Sequence, residues 1–233
     1  MKTIKHCCVG IDGCKNGWIA ISSYPFSFEN AKVSYINDLN RLDFLFPNSS
    51  TFLIDIPIGL KNDRGPRLCD VYAKKFLGLR KNSIFIPPCK DALLANSYED
   101  ANRTNKSKTG KGLSKQAWFL SKKIKEAENQ VKAGTHLKEG HPECSFTALM
   151  GSSPKASKKT LKGLFERINA LTKLGFNLCY LADQVSSSID ASADDLLDAA
   201  ILCWSASRLA TGQGKTIPEI PETYYNQEIA IHI

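Results

Sequence analysis

Four aspartates stand where an α/β chain presents function. Asp12 closes the apolar run Cys8-Val9-Gly10-Ile11-Asp12, and Asp55 follows Phe52-Leu53-Ile54 and precedes Ile56-Pro57. Asp195 and Asp198 lie three residues apart at the start of a long apolar segment, so a helix there puts both on one side. Ionised carboxylates brought together repel, and the gathering is costly unless a cation neutralises them. Hard oxygen ligands select Mg²⁺ or Mn²⁺. Two such ions about 4 Å apart can activate a water and stabilise the leaving oxygen of a phosphodiester. Each acid also suits a structural role. Asp12 before Gly13 can start a turn, Asp55 can cap a loop, and Asp194, Asp195 and Asp198 can serve the positive end of a helix capped by Ser192.

A second group carries less weight individually. In His141-Pro142-Glu143, Glu143 is a candidate fourth ligand and His141 a candidate base or phosphate contact; equally, the pair can fix a strand end. Arg64, Arg67 and Asp70 suit either an ion network beside a substrate or a structural salt bridge. Lys158 and Lys159 follow Ser157 near a predicted helix start, where an anion can bind, although a solvated face is the plainer account. Lys106, Lys108 and Lys111 read as a phosphate clamp or a mobile loop, and Trp118 as core before base-stacking platform. Gly212-Gln213-Gly214-Lys215-Thr216 is not a phosphate-binding loop, because Leu209 stands where its first glycine belongs and it follows a helix. No G-x-S-x-G elbow occurs.

The elements that must position these groups follow from composition and pattern. The chain has 233 residues, 42% hydrophobic and 23% charged, which excludes a disordered polymer and suits one domain carrying an insertion. No run approaches the ~18 apolar residues of a membrane helix, and Met1 to His6 lacks a signal-peptide pattern. Eight cysteines without a C-x-x-C pair argue against a zinc knuckle and for free thiols in a reducing cytoplasm. The net charge of +8 is uneven: Lys61 to Gly163 holds 22 Lys and Arg against 9 Asp and Glu, while the rest is acidic. A basic middle attracts phosphate-rich partners, nucleic acid first among them, although a solvated lysine surface accounts for lysines alone.

Strands are expected at Cys8 to Asp12, Trp18 to Ile21 after the Asn16-Gly17 turn signal, Ala31 to Ile36 and Phe52 to Ile56. Helices are expected at Asp38 to Phe46, Arg67 to Phe76, Leu113 to Val131, Ser157 to Leu174 and Ser192 to Leu209. Asn102 to Gly112 is polar and glycine-bounded, hence a loop. Lys115, Lys122, Lys123, Lys125 and Lys132 make a basic outer helix face. Leu137 to Glu143 suits a short strand, and Gln227 to Ile233 an edge strand.

Val9-Gly10-Ile11-Asp12-Gly13, the hairpin to Trp18-Ile19-Ala20, and Asp195-Leu196-Leu197-Asp198-Ala199 resemble the ribonuclease H-like superfamily, the last of them RuvC-type resolvases in particular. A longer set resembles the domain of unknown function 429 family, predicted nucleases of that fold. It comprises Ile54-Asp55-Ile56-Pro57-Ile58-Gly59-Leu60, Arg67-Leu68-Cys69-Asp70, Gly112 to Trp118, His141-Pro142-Glu143 with Phe146, and Ser157-Lys158-Lys159-Thr160. Where that family often carries Arg, this chain has Lys74 and Lys90, which keep charge but lose the bidentate fork. The resemblance implies one α/β domain over residues 1–233. Its five-stranded mixed sheet has three antiparallel strands followed by parallel ones, flanked by helices; the basic, mostly helical block 61–135 reads from its own residues as an insertion in, or a lid over, that sheet. The resemblance places Asp12, Asp55 and Asp198 around a shared metal site, Mg²⁺ or Mn²⁺ by their chemistry, with Asp195 an additional ligand or neighbour; the residues themselves add Glu143 as an assisting carboxylate and Arg64, Arg67, His141 and Lys158 as candidates toward the substrate. The activity implied is phosphodiester hydrolysis of nucleic acid. The alternative within the same fold is a protein that binds a nucleotide or nucleic acid without cutting it, and a scaffold is the third reading.

Overall fold

The apolar run from Cys8 opens the first strand, β1 (Cys8–Cys14). The two-residue turn Lys15–Asn16 returns the chain in β2 (Gly17–Ser23), Cys14 facing Gly17, so the expected hairpin is present with its loop one residue before the Asn16-Gly17 pair. β3 (Lys32–Ile36) completes an antiparallel meander. β4 (Thr51–Ile54) adds parallel to β1 and β5 (Leu137–Glu139) parallel to β4, so the sheet order is β3-β2-β1-β4-β5. The expected mixed five-stranded sheet is therefore present in this computed structural model, which describes residues 6–46, 50–185 and 190–233. Met1 to Lys5, where a leader was sought, lie outside the described residues.

Helix α1 (Leu42–Leu45) precedes β4, and α2 (Leu68–Leu77), α3 (Tyr98–Thr109) and α4 (Lys115–Lys132) lie between β4 and β5. After β5 come α5 (Pro142–Met150), α6 (Leu161–Lys173), α7 (Leu178–Asp183) and α8 (Ala193–Ala210). The hairpin β6 (Thr216–Tyr224) and β7 (Gln227–His232) follows, turning through Tyr225 and Asn226, both at positive φ. Alternation along the strands divides the core. Val9, Ile11, Trp18, Ala20, Phe52 and Ile54 face Ile124 and Ala127 of α4. On the opposite face, Ile19 and Ile21 meet Phe146 of α5, Leu171 of α6, and Leu197, Ala200 and Ile201 of α8. α8 is buried from Leu196 to Ser207 because the sheet covers one side and α5 and α6 cover the other.

Four expectations change. Asn102 to Gly112 is mostly helix, not loop: Ser97 caps α3 by accepting from Asp100 N–H, and Gly110 closes it in the left-handed region. Its inner face is Ala101 and Asn105, the latter accepting from Cys89 N–H at 2.8 Å and donating to the Lys111 carbonyl at 2.9 Å, so no apolar period announces it. Lys123 does not belong to the outer face of α4; its ammonium turns inward to the Cys14 and Gly17 carbonyls and lies over the Trp18 ring. The strand predicted through Glu143 stops at Glu139, and His141 starts α5 instead. The final strand pairs with β6 and touches the main sheet through the Gly140–His232 bridge.

Gly10 is the closest approach in the molecule's centre. A Cβ there would stand 2.1 Å from both the Ala199 carbonyl oxygen and the Cys203 nitrogen of α8. Backbone cannot yield as a flexible side chain does. We therefore expect Gly10→Ala to lose at least about 3 kcal/mol, the upper range for overpacking, which is roughly 6–12 °C in Tm for a chain this size. Thermal melting followed by circular dichroism reads this directly, and an unchanged Tm would show that α8 is not pressed on β1.

Candidate functional site

Parallel pairing sets the first two acids side by side. Ile11 faces Ile54, and the Asp55 amide donates to the Ile11 carbonyl at 2.9 Å, so Asp12 and Asp55 leave neighbouring strand ends together. The Gly140 amide donates to the Ile54 carbonyl at 2.9 Å, which brings His141 and Glu143 to the same end of the sheet. The carboxyl ends of parallel strands are where α/β folds hold ligands. Asp12 shares the face of Gly10, and Ala199, the residue against Gly10, adjoins Asp198. The α8 contact thus delivers Asp198 opposite Asp12. A cleft of about 620 Å³ results, lined by Asp12, Asp55, Asp198, His141, Glu143 and Lys158 among others.

Burial and mutual repulsion dominate the electrostatics. Burial, then the charges of Asp55 and Asp198, hold the Asp12 carboxyl well above its usual range. Burial and Asp198 push Asp55 up to about 8 against the pull of Lys158. Asp198, only 2% exposed, is raised by burial to about 6, with the Lys158 ammonium 2.5 Å from Oδ2 opposing the rise. Burial works against the Lys158 ammonium, but Asp198, Asp12 and Asp55 outweigh it, and the lysine stays charged. Burial lowers His141 to about 4, leaving it neutral near pH 7. Its Nδ1 accepts from the Cys144 amide at 3.4 Å, so His141 caps α5.

Glu143 and Arg167 form a buried pair that sequence reasoning only half anticipated. Arg167, fully buried, donates to Glu143 Oε1 at 2.5 Å and to the Gly163 carbonyl at 2.8 Å. Glu143 Oε2 has no hydrogen-bond partner and lies 3.7 Å from the equally unpartnered Arg80 Nε, on the cleft wall. The missed arginine had a signal: it stands at i−4 from Leu171, on the apolar stripe of α6, where a charge demands a partner. Lys159 lines the cleft beside Lys158, and so do Arg80 and Lys123, which the sequence does not mark for it.

Other candidates lie elsewhere. Asp195 accepts from Ser192 N–H at 2.7 Å in a capping box, and it does not line the cleft. Arg64 is exposed and lines a second pocket with Lys111. Lys108 pairs with Asp91 at 3.1 Å. Arg67, 4% exposed, places all five donors: two on Asp70, two on Glu139 and one on the Ile58 carbonyl. It reaches the cleft wall with nothing left to offer a substrate. Among the described residues, Cys69, Asp70 and Glu139 are the trio of metal-ligand types whose atoms all lie within 4.8 Å of one another. Arg67 already neutralises both of its carboxylates, and burial raises the Cys69 thiol, so the trio is poorly suited to a cation.

The donor chemistry of Asp12, Asp55 and Asp198 fits a hard divalent ion better. Ionised, these three carboxylates would outnumber the Lys158 ammonium that rests on Asp198, and burial leaves them either to hold protons or to take up a cation. A family model described as "Protein of unknown function (DUF429)" matches residues 10–223. The chain belongs to the DUF429 family. No curated protein and no solved structure matches it. The match spans β1 to β6, so every acid in the cleft of this DUF429 chain lies inside the family region.

Two outcomes follow. The raised Asp55 carboxyl binds a proton in the folded state between about pH 4 and pH 8 that the unfolded chain releases. Folding stability from this group is full below about pH 4 and is lost as pH rises toward 8. In a chelator, the Tm of Asp55→Asn should therefore gain several degrees on wild type from pH 5 to pH 8; parallel melting curves across that range would refute the shift. Arg67→Met should cost about 3–5 kcal/mol in urea denaturation, because it strands two buried carboxylates.

Proposed function

We propose that this protein is a metal-dependent nuclease of ribonuclease H-like fold that hydrolyses phosphodiester bonds with an activated water. The supporting observation is the convergence of Asp12, Asp55 and Asp198, from two strand ends and a helix, on one cleft where the Lys158 ammonium rests on Asp198. These residues would hold Mg²⁺ or Mn²⁺. Such an ion, when bound, lowers the pKa of water and stabilises charge on phosphoryl oxygens.

The chain's own groups supply the rest. Phosphoryl transfer is governed by positioning and by positive charge. Arg80 and Lys159 on the cleft wall are placed to orient a phosphate. Glu143 lines the cleft, its Oε2 free of hydrogen bonds and 3.7 Å from Arg80 Nε, and is the side chain placed to take a proton from the attacking water. His141 is a positioning residue, since Nδ1 is engaged with the start of α5. The basic wall suits a nucleic acid, and eight free thiols suit the reducing cytoplasm. No described helix is long and apolar enough to cross a membrane. Binding without cleavage is the second reading; the Lys158–Asp198 pair favours it, because it fills part of the acidic site.

The test is cleavage of labelled single- and double-stranded DNA, RNA, hybrid and four-way junction in Mg²⁺ and in Mn²⁺. Wild type should cut at least one substrate, and chelator should abolish cutting. Asp12→Asn and Asp198→Asn should lose more than the ~100-fold that removal of an outer hydrogen-bonding partner costs a metal site. Activity surviving in both folded variants would refute the site, and binding without cleavage would establish the second reading.

A further inference from the structure

We propose that the Lys158 ammonium is a resident cation of the carboxylate site, so that the site takes one divalent ion where a pair would otherwise sit. The inference rests on the metal-site reading above and goes beyond it by fixing the ion count and assigning the lysine.

The position of Lys158 is built by its backbone. Lys155 N–H and Ala156 N–H donate to the two Glu166 oxygens at 3.0 and 3.2 Å. Buried Arg167 donates to the Ala156 carbonyl at 3.3 Å. The Ser157 carbonyl accepts from both Thr160 N–H and Thr160 Oγ, and Thr160 caps α6 through Gly163 N–H at 3.2 Å. A Cβ at Gly163 would stand 2.0 Å from the Ser157 oxygen, so only glycine lets the loop lie this close to α6. Lys159, one residue on, is exposed, whereas the Lys158 side chain is 32% exposed and ends on Asp198. A loop fixed at this many points aims one ammonium at the acids.

Charge and geometry agree. The Lys123 ammonium is turned to the Cys14 and Gly17 carbonyls, so with Asp12, Asp55 and Asp198 ionised around a bound ion, Lys158 leaves about −2, which one divalent ion neutralises and two would over-neutralise. Asp198 Oδ2 is occupied by the ammonium, and the three acids do not form a mutual cluster of the tightness found at Cys69, Asp70 and Glu139. Glu143, which could have added a negative charge, is offset by Arg167. A lysine serving only as a surface phosphate contact would have no reason to sit on a buried carboxylate.

The experiment is Mn²⁺ titration of the full chain, read by the electron paramagnetic resonance signal of free Mn²⁺. Wild type and Lys158→Arg should bind one Mn²⁺ per chain. Lys158→Met and Lys158→Gln, checked by melting curves, should bind two. Two ions on wild type would overturn the lysine's role and leave the metal site standing. One ion on wild type and on either neutral variant, with unchanged affinity, would also overturn it. No bound Mn²⁺ on wild type would overturn both this inference and the metal-site reading. Two ions on wild type overturn the inference whether or not a neutral variant folds, and Lys158→Gln supplies the comparison where Lys158→Met does not fold.

Discussion

The approach of α8 to β1 at Gly10 is the contact on which the rest depends. With no side chain at that position, helix backbone lies directly on strand backbone, and the separation is set by atoms that cannot change rotamer. Everything across the sheet inherits that spacing. Asp12 lies two residues beyond Gly10 on the same face, and Asp198 immediately precedes Ala199, so a packing contact becomes a constraint on two acids. Asp55 joins them through ordinary parallel register. The site is thus assembled by main chain, and its side chains only finish it.

Buried carboxylates on the wall of one cleft are treated in three ways. Around Arg67 every donor meets an acceptor, and the Asp70–Glu139 pair is closed. Glu143 is half closed, one oxygen on Arg167 and the other 3.7 Å from Arg80 without a hydrogen bond. Asp12 and Asp55 are left open, and Asp198 carries the Lys158 ammonium. A closed arginine network specifies a fold and contributes nothing further, whereas an open set holds protons or a cation because burial forbids it to stay bare. The gradient from closed to open runs along the cleft wall and separates scaffold from chemistry.

Much of this was legible before any coordinates. Asp12 and Asp55 each end an apolar run, and such runs make central strands whose ends face ligands. The capping signature Ser192-x-x-Asp195 was visible too, but pattern alone could not divide the duties of Asp195 and Asp198; the register of α8 on Gly10 does that. α3 was read as a loop because its inner face is Ala101 and Asn105, held by hydrogen bonds that hydrophobic periodicity does not report. Lys123 was read as solvated because a lysine stem can bury while its ammonium finds carbonyls, a choice made by the β1–β2 turn and not by the helix. Arg167 went unnoticed although its place on the apolar stripe of α6 marked it.

The C-terminal hairpin has a consequence for association. β5 is three residues long and would be an open edge, yet the chain continues into Gly140, which bridges to His232 of β7, while His232 Nδ1 lies 3.1 Å from the Glu139 carbonyl. At the opposite edge the Val33 amide donates to the Gln184 side chain at 3.2 Å, so a glutamine stands where a neighbouring strand would dock. Unpaired edges invite strand addition between molecules, and this sheet has both of its own edges obstructed. A sheet that cannot be extended recruits partners through its cleft or its helices, and it resists the strand-to-strand aggregation open to a bare five-stranded sheet.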